Sequence, residues 1–156
     1  MESNLTAGKV IAVCISKDKG TKKENINKGK LIQGFGMEGD AHAGDWHRQI
    51  SLLSIESIQK MRDEGLDVGP GDFAENITIQ GLDLLRLPIG TKLIIGKHAL
   101  LEITQIGKVC HTRCAIFYQA GDCVMPKEGI FAKVLIDGVI EIEDKIKVVK
   151  ENESSG

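Results

Sequence analysis

Aromatic side chains make up only 4% of the 156 residues, and the chain has a single tryptophan and three prolines. Helical periodicity is weak, and the apolar residues fall instead in short β-branched runs bounded by glycine or asparagine. That pattern predicts many short strands and argues against a helix bundle. No apolar run is sustained either. Val134 to Ile136 and Val139 to Ile140 are cut by charge or glycine far short of the roughly 20 residues a membrane helix needs, which excludes a transmembrane span. Neither sign of charge dominates: 20 Lys+Arg face 22 Asp+Glu, for a formal charge of -2. There is thus no global attraction to nucleic acid or to an anionic membrane, and any anion must be recognised by a local cluster of positive groups. Met1-Glu2-Ser3-Asn4-Leu5 lacks the basic flank and apolar centre of a secretory signal, so a cytoplasmic location is expected. The four cysteines are too few for a disulfide scaffold of this size, and thiol or metal chemistry suits them better than stapling.

What is present, 42% apolar residues and 18 glycines, fits one compact domain. The expected strands are Lys9 to Ile15, Lys30 to Gln33, Gln49 to Leu53, Asn76 to Ile79, Lys92 to Ile95, Ala99 to Thr104, Ile130 to Leu135, Val139 to Ile142 and Lys145 to Val149. Asp137-Gly138 reads as a two-residue hairpin turn, because this dipeptide readily takes positive φ. Gly96-Lys97-His98 reads as another tight connection. One helix is expected, capped by Ser54, carrying Ile55, Ile58 and Met61 at helical spacing and leaving through Gly65. The predicted fold is mostly β, a single, largely antiparallel β-barrel-like domain over residues 8–149 with a few short helices. Residues 150–156 are expected to form a flexible polar tail.

Three segments carry chemistry. In Gln105 to Cys114, two thiols spaced by three residues, Cys110 and Cys114, are flanked by Lys108, His111 and Arg113. No acid occurs between Glu102 and Asp122, so an acidic chain holds a local positive island. Such surroundings favour thiolate over thiol and raise reactivity toward metals and sulfur species. The plainer alternative is that these cysteines are small buried hydrophobes. Cys123 stands beside Asp122 and apolar neighbours and has the weaker claim. Cys14, between Val13 and Ile15 in a strand, reads as core.

The second segment, Glu38 to Gln49, combines Gly39 and Gly44, where backbone amides can approach a ligand, with Asp40, His42, His47 and Arg48. Arg48 offers a fixed positive fork suited to phosphate. The third, Gly71 to Thr78, is a turn entering a strand, with Glu75 and Asn76 at its mouth. The asparagine can both donate to and accept from a heterocycle edge, while an Asx-type turn explains the same residues without a ligand.

The order Gly39-Asp40-x-His42, then His47-Arg48-Gln49-Ile50-Ser51-Leu52, then Gly71-Asp72-Phe73-x-Glu75-Asn76-Ile77-Thr78 is followed by Gly81-x-Asp83-Leu84 and Gly90-x-x-Leu93-x-Ile95-Gly96. Leu101-Glu102-Ile103-Thr104-Gln105 and a cysteine complete it. From about Gly8 to Val149 this resembles the MOSC domain, found at the C-terminus of eukaryotic molybdenum cofactor sulfurases, in the mitochondrial amidoxime-reducing proteins, and as small stand-alone bacterial proteins. The resemblance implies a β-barrel-like fold and a role with the molybdenum cofactor, a pterin dithiolene bearing a phosphate, whose metal is held by one protein cysteine. Counting from Gln105 favours Cys110 as that ligand, whereas the Thr112-Arg113-Cys114 triplet favours Cys114, and both stay open. It also implies that Arg48 and Asn76 face cofactor or substrate, with Asp40, His42 and Glu75 as neighbours. Lys108 and Arg113 add positive charge against the phosphate and oxo ligands.

The sequence carries neither the further N-terminal β-barrel domain of the amidoxime-reducing relatives nor the pyridoxal-phosphate desulfurase domain of the sulfurases. The expectation is therefore a cofactor-binding or sulfur- and metal-carrying protein. It would serve a cofactor-biosynthesis protein or an apo-molybdoenzyme, or else reduce N-oxygenated compounds. The carrier role needs only a thiolate and a pocket, whereas a reductase also needs an electron donor, for which there is no flavin, haem or iron–sulfur motif. The alternative is a zinc-binding or redox-sensing module built on Cys110, His111, Cys114 and Cys123 or His47. Cys-x3-Cys fits zinc spacing, but no second clean pair accompanies it. A third option is an interaction domain with inert thiols.

Overall fold

A computed structural model describes residues 7–17, 23–41, 43–73, 75–106 and 129–149. Its strands are β1 (Ala7–Ile15), β2 (Glu24–Asn25), β3 (Lys28–Ile32), β4 (Gly36–Met37), β5 (Ile50–Ser54), β6 (Ile77–Gln80), β7 (Lys92–Ile95), β8 (Ala99–Ile106), β9 (Ile130–Ile136), β10 (Gly138–Glu141) and β11 (Lys145–Val149). All nine expected strands are among them, Lys92–Ile95 and Lys145–Val149 at the expected bounds. The 150–156 tail lies outside the described residues.

Seven strands run round the wall in the order β11-β7-β8-β9-β5-β6-β1, and β1 pairs back onto β11 through Ala7–Lys147, Gly8–Ile146 and Lys9–Lys145. The closed barrel thereby removes both sheet edges. The expected antiparallel character holds for every pair but one. β5 and β6 run parallel, Leu52 opposite Ile77, because helix α1 (Ile55–Asp63) returns the chain to the start side of the sheet. Ser54 caps α1 by accepting from the Ser57 amide at 3.1 Å, and Gly65 leaves it at φ 97°, as the sequence predicts.

Strand alternation fills the interior. On β8, Ala99, Leu101 and Ile103 are buried while Leu100, Glu102 and Thr104 are not. They meet Val10, Ile50, Leu52 and Ile79 in the barrel core. A second apolar cluster of Leu53, Ile58, Met61, Val68, Phe73 and Phe131 lies beneath α1.

The Asp137-Gly138 hairpin is not formed. β9 stays in the barrel, whereas β10 joins β3 and β4 in a separate three-stranded sheet, Val139 opposite Lys30. Gly138 is not among the positive-φ residues. It is required by proximity instead, since a Cβ there would lie 2.6 Å from the Ala99 amide nitrogen. Asp137 accepts from the Gln33 amide at 2.6 Å and so steers the chain toward β3.

Candidate functional site

The 38–49 loop leaves β4 and is fastened at both ends. At its start, Gly39 adopts φ 86°, Asp40 donates its amide to the Met37 carbonyl, and Ala41 donates to the Ser16 carbonyl at 2.8 Å. At its end, Gln49 is buried and its Oε1 accepts from the Val134 amide at 2.9 Å. Between these points the loop meets the far end of β8. The register of β8 against β9 shifts between Ile103 and Gln105. Such an irregularity re-aims side chains. There Thr104 Oγ1 donates to the His47 carbonyl, and Gln105 Oε1 sits 2.8 Å from His47 Nε2. The two stretches that the sequence singled out, near positions 40–50 and after 105, therefore meet at one end of the barrel.

Arg48 is the half-buried product of this arrangement. Its guanidinium carbon lies 4.5 Å from the centroid of Trp46 and 5.6 Å from that of Phe131, so two rings hold the plane of the fork in place. No carboxylate pairs with Arg48 among the described residues, and its buried Nε has no hydrogen-bond partner. A cation that is already oriented and has an unmet donor suits an oxyanion.

Asp40 is placed differently. Its carboxylate is fully buried and contacts Lys23 Nζ at 2.6 Å, while the Ser16 amide donates to the same oxygen at 3.0 Å. Burial alone would raise the Asp40 carboxyl. The Lys23 ammonium, the Ser16 amide and Asn76 outweigh that effect and leave it below the usual range. Burial also pushes the Lys23 ammonium below its ordinary value, against the opposing pull of Asp40. The sequence reading missed Lys23, which in Lys22-Lys23-Glu24 looks like any solvated charge run.

Glu75 and Asn76 are built into the fold. Asn76 accepts from the Ser51 amide and hydroxyl at 3.0 and 3.2 Å and donates to the Cys14 carbonyl at 3.1 Å. Its amide thus ties β1, β5 and β6 together. Glu75 Oε2 accepts from the Gly71 amide at 2.9 Å and from Thr78 Oγ1 at 2.6 Å, while Oε1 is buried without a partner. Burial raises its carboxyl above the usual range despite the bonds from Thr78 and Gly71. Asp72 closes the preceding turn from its far end, accepting from the Gly69 amide at 2.8 Å. Cys14 is core, as expected, and burial pushes its thiol up to about 12.

His42, Lys108, Cys110, His111, Arg113, Cys114 and Cys123 lie outside the described residues. Among the described residues no group of three His, Cys, Asp or Glu is placed to hold a metal ion, and no helix is long and apolar enough to cross a membrane. The residues that do fit the implied cofactor are those around Arg48, a cation oriented by two rings and given no carboxylate among the described residues, as a phosphate requires. Asp40 and Asn76 have their polar atoms engaged inside the protein.

Solved structures share this architecture. The YUAD protein of Bacillus subtilis superposes with a TM-score of 0.76 at 21% identity, over 91% of this chain and 95% of that one. YiiM from Geobacillus stearothermophilus gives 0.69 at 20% identity, over 92% and 75%. YiiM from Escherichia coli gives 0.66 at 20%, over 93% and 70%. At such identities the likeness speaks for the fold alone. A search of curated proteins returns no match. The family model for the MOSC domain matches residues 39–147, a span that holds Asp40, Arg48, Glu75, Asn76 and the end of β8. More than half of the sequence is covered, and the chain belongs to the MOSC domain family, which is linked to proteins of the molybdenum cofactor sulfurase type.

Proposed function

We propose that this chain binds the molybdenum cofactor and carries its metal or sulfur on one cysteine thiolate, Cys110 or Cys114, as a cytoplasmic protein serving a cofactor-biosynthesis protein or an apo-molybdoenzyme. The observation that carries the reading is Arg48. It is held between Trp46 and Phe131 with a buried unpartnered Nε, on a loop fastened to Thr104 and Gln105. Those residues immediately precede the segment that contains both cysteines.

When bound, the cofactor supplies a phosphate and a dithiolene-held metal–sulfur centre. The protein's part is to orient and neutralise. Arg48 holds the phosphate through charge-assisted bonds, with its fork already fixed by two rings. Lys108 and Arg113 add cationic charge and favour thiolate at the neighbouring cysteines, and His42 flanks the same loop. A soft thiolate suits the metal. Glu75 and Asn76 shape the 71–78 turn and the strands beside it. A carrier needs only these elements, which is why carriage is preferred here to reduction of N-oxygenated compounds.

The test is to mix purified protein with molybdenum cofactor and to measure retained molybdenum and pterin for wild type, Cys110→Ser, Cys114→Ser and Arg48→Ala. One cysteine variant is expected to lose most of the molybdenum, and Arg48→Ala to weaken pterin retention about tenfold, the worth of one charge-assisted contact. Equal retention in all four proteins overturns the reading.

A further inference from the structure

Three segments distant in sequence converge on one buried ion pair. Lys23 Nζ lies 2.6 Å from Asp40 Oδ1 and 3.2 Å from Ser16 Oγ, with the Lys23 side chain 1% exposed and that of Asp40 fully covered. The Ser16 amide donates to Asp40 Oδ1, and the Ser16 carbonyl accepts from Ala41, so the exit of β1 holds both ends of the loop's first turn. The Lys23 amide donates to the Gly71 carbonyl at 2.8 Å, and a Cβ on Gly71 would stand 2.3 Å from the Lys23 carbonyl oxygen. The 71–76 turn therefore presses directly on the backbone of Lys23.

Burying such a pair is a poor way to gain stability, because desolvation of both ions offsets most of their attraction. Its advantage is geometric. A charge buried among apolar strands has one acceptable partner position, and so it selects a single register for the loop that carries that partner. Within the 38–49 loop Asp40 is buried at the start and Gln49 at the end, while Trp46, His47 and Arg48 between them are not, so the inner anchor at Asp40 bears on where that stretch lies.

We propose that Lys23 and Asp40 are positioning residues that set the register of the 38–49 loop, so that Arg48 is delivered between Trp46 and Phe131 with its fork turned to an oxyanion. This rests on the reading of Arg48 as the anion-recognising group. Neither residue touches the ligand. Asp40, which the sequence pattern places beside the cofactor, acts through the loop.

Trp46 is the only tryptophan and reports on this loop directly. The double variant Lys23→Met/Asp40→Leu removes both charges together, so no unpaired ion is left in the interior. We expect it to keep the far-ultraviolet circular dichroism of the wild type. Acrylamide quenching of Trp46 should rise about twofold, and binding of inorganic phosphate should weaken about tenfold, one contact's worth of lost orientation. Wild-type quenching in a folded double variant overturns the proposal. Should that variant fail to fold, Ser16→Ala, which removes only the hydroxyl facing Lys23, is expected to raise quenching in the same direction by a smaller amount. Unchanged quenching in Ser16→Ala then overturns it. If wild-type protein binds no phosphate, the anion reading of Arg48 fails, and the quenching comparison still decides whether the pair positions the loop.

Discussion

Asp40 and Arg48 stand on one loop, and the fold treats their charges in opposite ways. Asp40 is enclosed with Lys23, Ser16 and Asn76 and has its charge met inside the protein. Arg48 is half-buried, gripped by two rings and given no carboxylate among the described residues. The loop thus has an inner, self-satisfied side that fastens it and an outer side that keeps a donor unspent. Charge in a motif is therefore ambiguous: the same loop uses one ion for architecture and leaves another without a carboxylate partner among the described residues. A polar group buried without a partner is costly, and the interior carries two such atoms, Arg48 Nε and Glu75 Oε1, whereas Asp40 is paired.

Breaking the inner side should cost most. Asp40→Ala strands the Lys23 ammonium in the interior, and a loss of about 3–5 kcal/mol is expected in equilibrium urea unfolding. A loss below about 1 kcal/mol, the range of exposed pairs, would erase the distinction between the two sides. Glu75 sharpens the picture of the interior. Its folded-state pKa is raised, so its contribution to stability is complete below the unfolded value of about 4.3 and is lost as pH rises through the folded value. Glu75→Gln keeps the shape and removes the titration. Melting temperatures of the two proteins should therefore diverge in favour of the variant as pH increases from 4 to 8, with the effects of Lys23 and Asp40 common to both. A constant difference across that range would mean that Glu75 does not change its proton affinity on folding. The smallest effect on stability belongs to the outer side. Arg48→Ala forfeits two ring contacts at a half-exposed site, about 1–2 kcal/mol in the same unfolding measurement. A larger loss would place Arg48 with the scaffold and remove it as a ligand group.

Much of the fold was legible because it depends on local pattern. Alternation in Ala99 to Thr104, the Ser54 cap and the Gly65 exit are nearest-neighbour effects, and they appear where expected. The reading of Asp137-Gly138 failed for the complementary reason. A dipeptide can state that the chain turns, but not which strand it turns toward, and here the close approach of Ala99 and the bond from Gln33 to Asp137 decide it. In the candidate site, Arg48 was legible as a fixed cation and Asn76 as an amide able both to donate and to accept. The use of the Asn76 amide by Ser51 and Cys14 was not, since both partners lie far away in sequence.

By itself the sequence determined the class of the fold, the positions of nine of the eleven described strands and the charge types available near residues 40–48 and 105–114, because period, capping and composition are carried by adjacent residues. Only the tertiary structure decided which charges are spent. Barrel closure brings Ser16, Lys23 and Gly71 to the back of one loop and Thr104, Gln105 and Phe131 to its front. Solvation and pairing energies depend on that three-dimensional neighbourhood, so a buried lysine looks the same in sequence as a surface one.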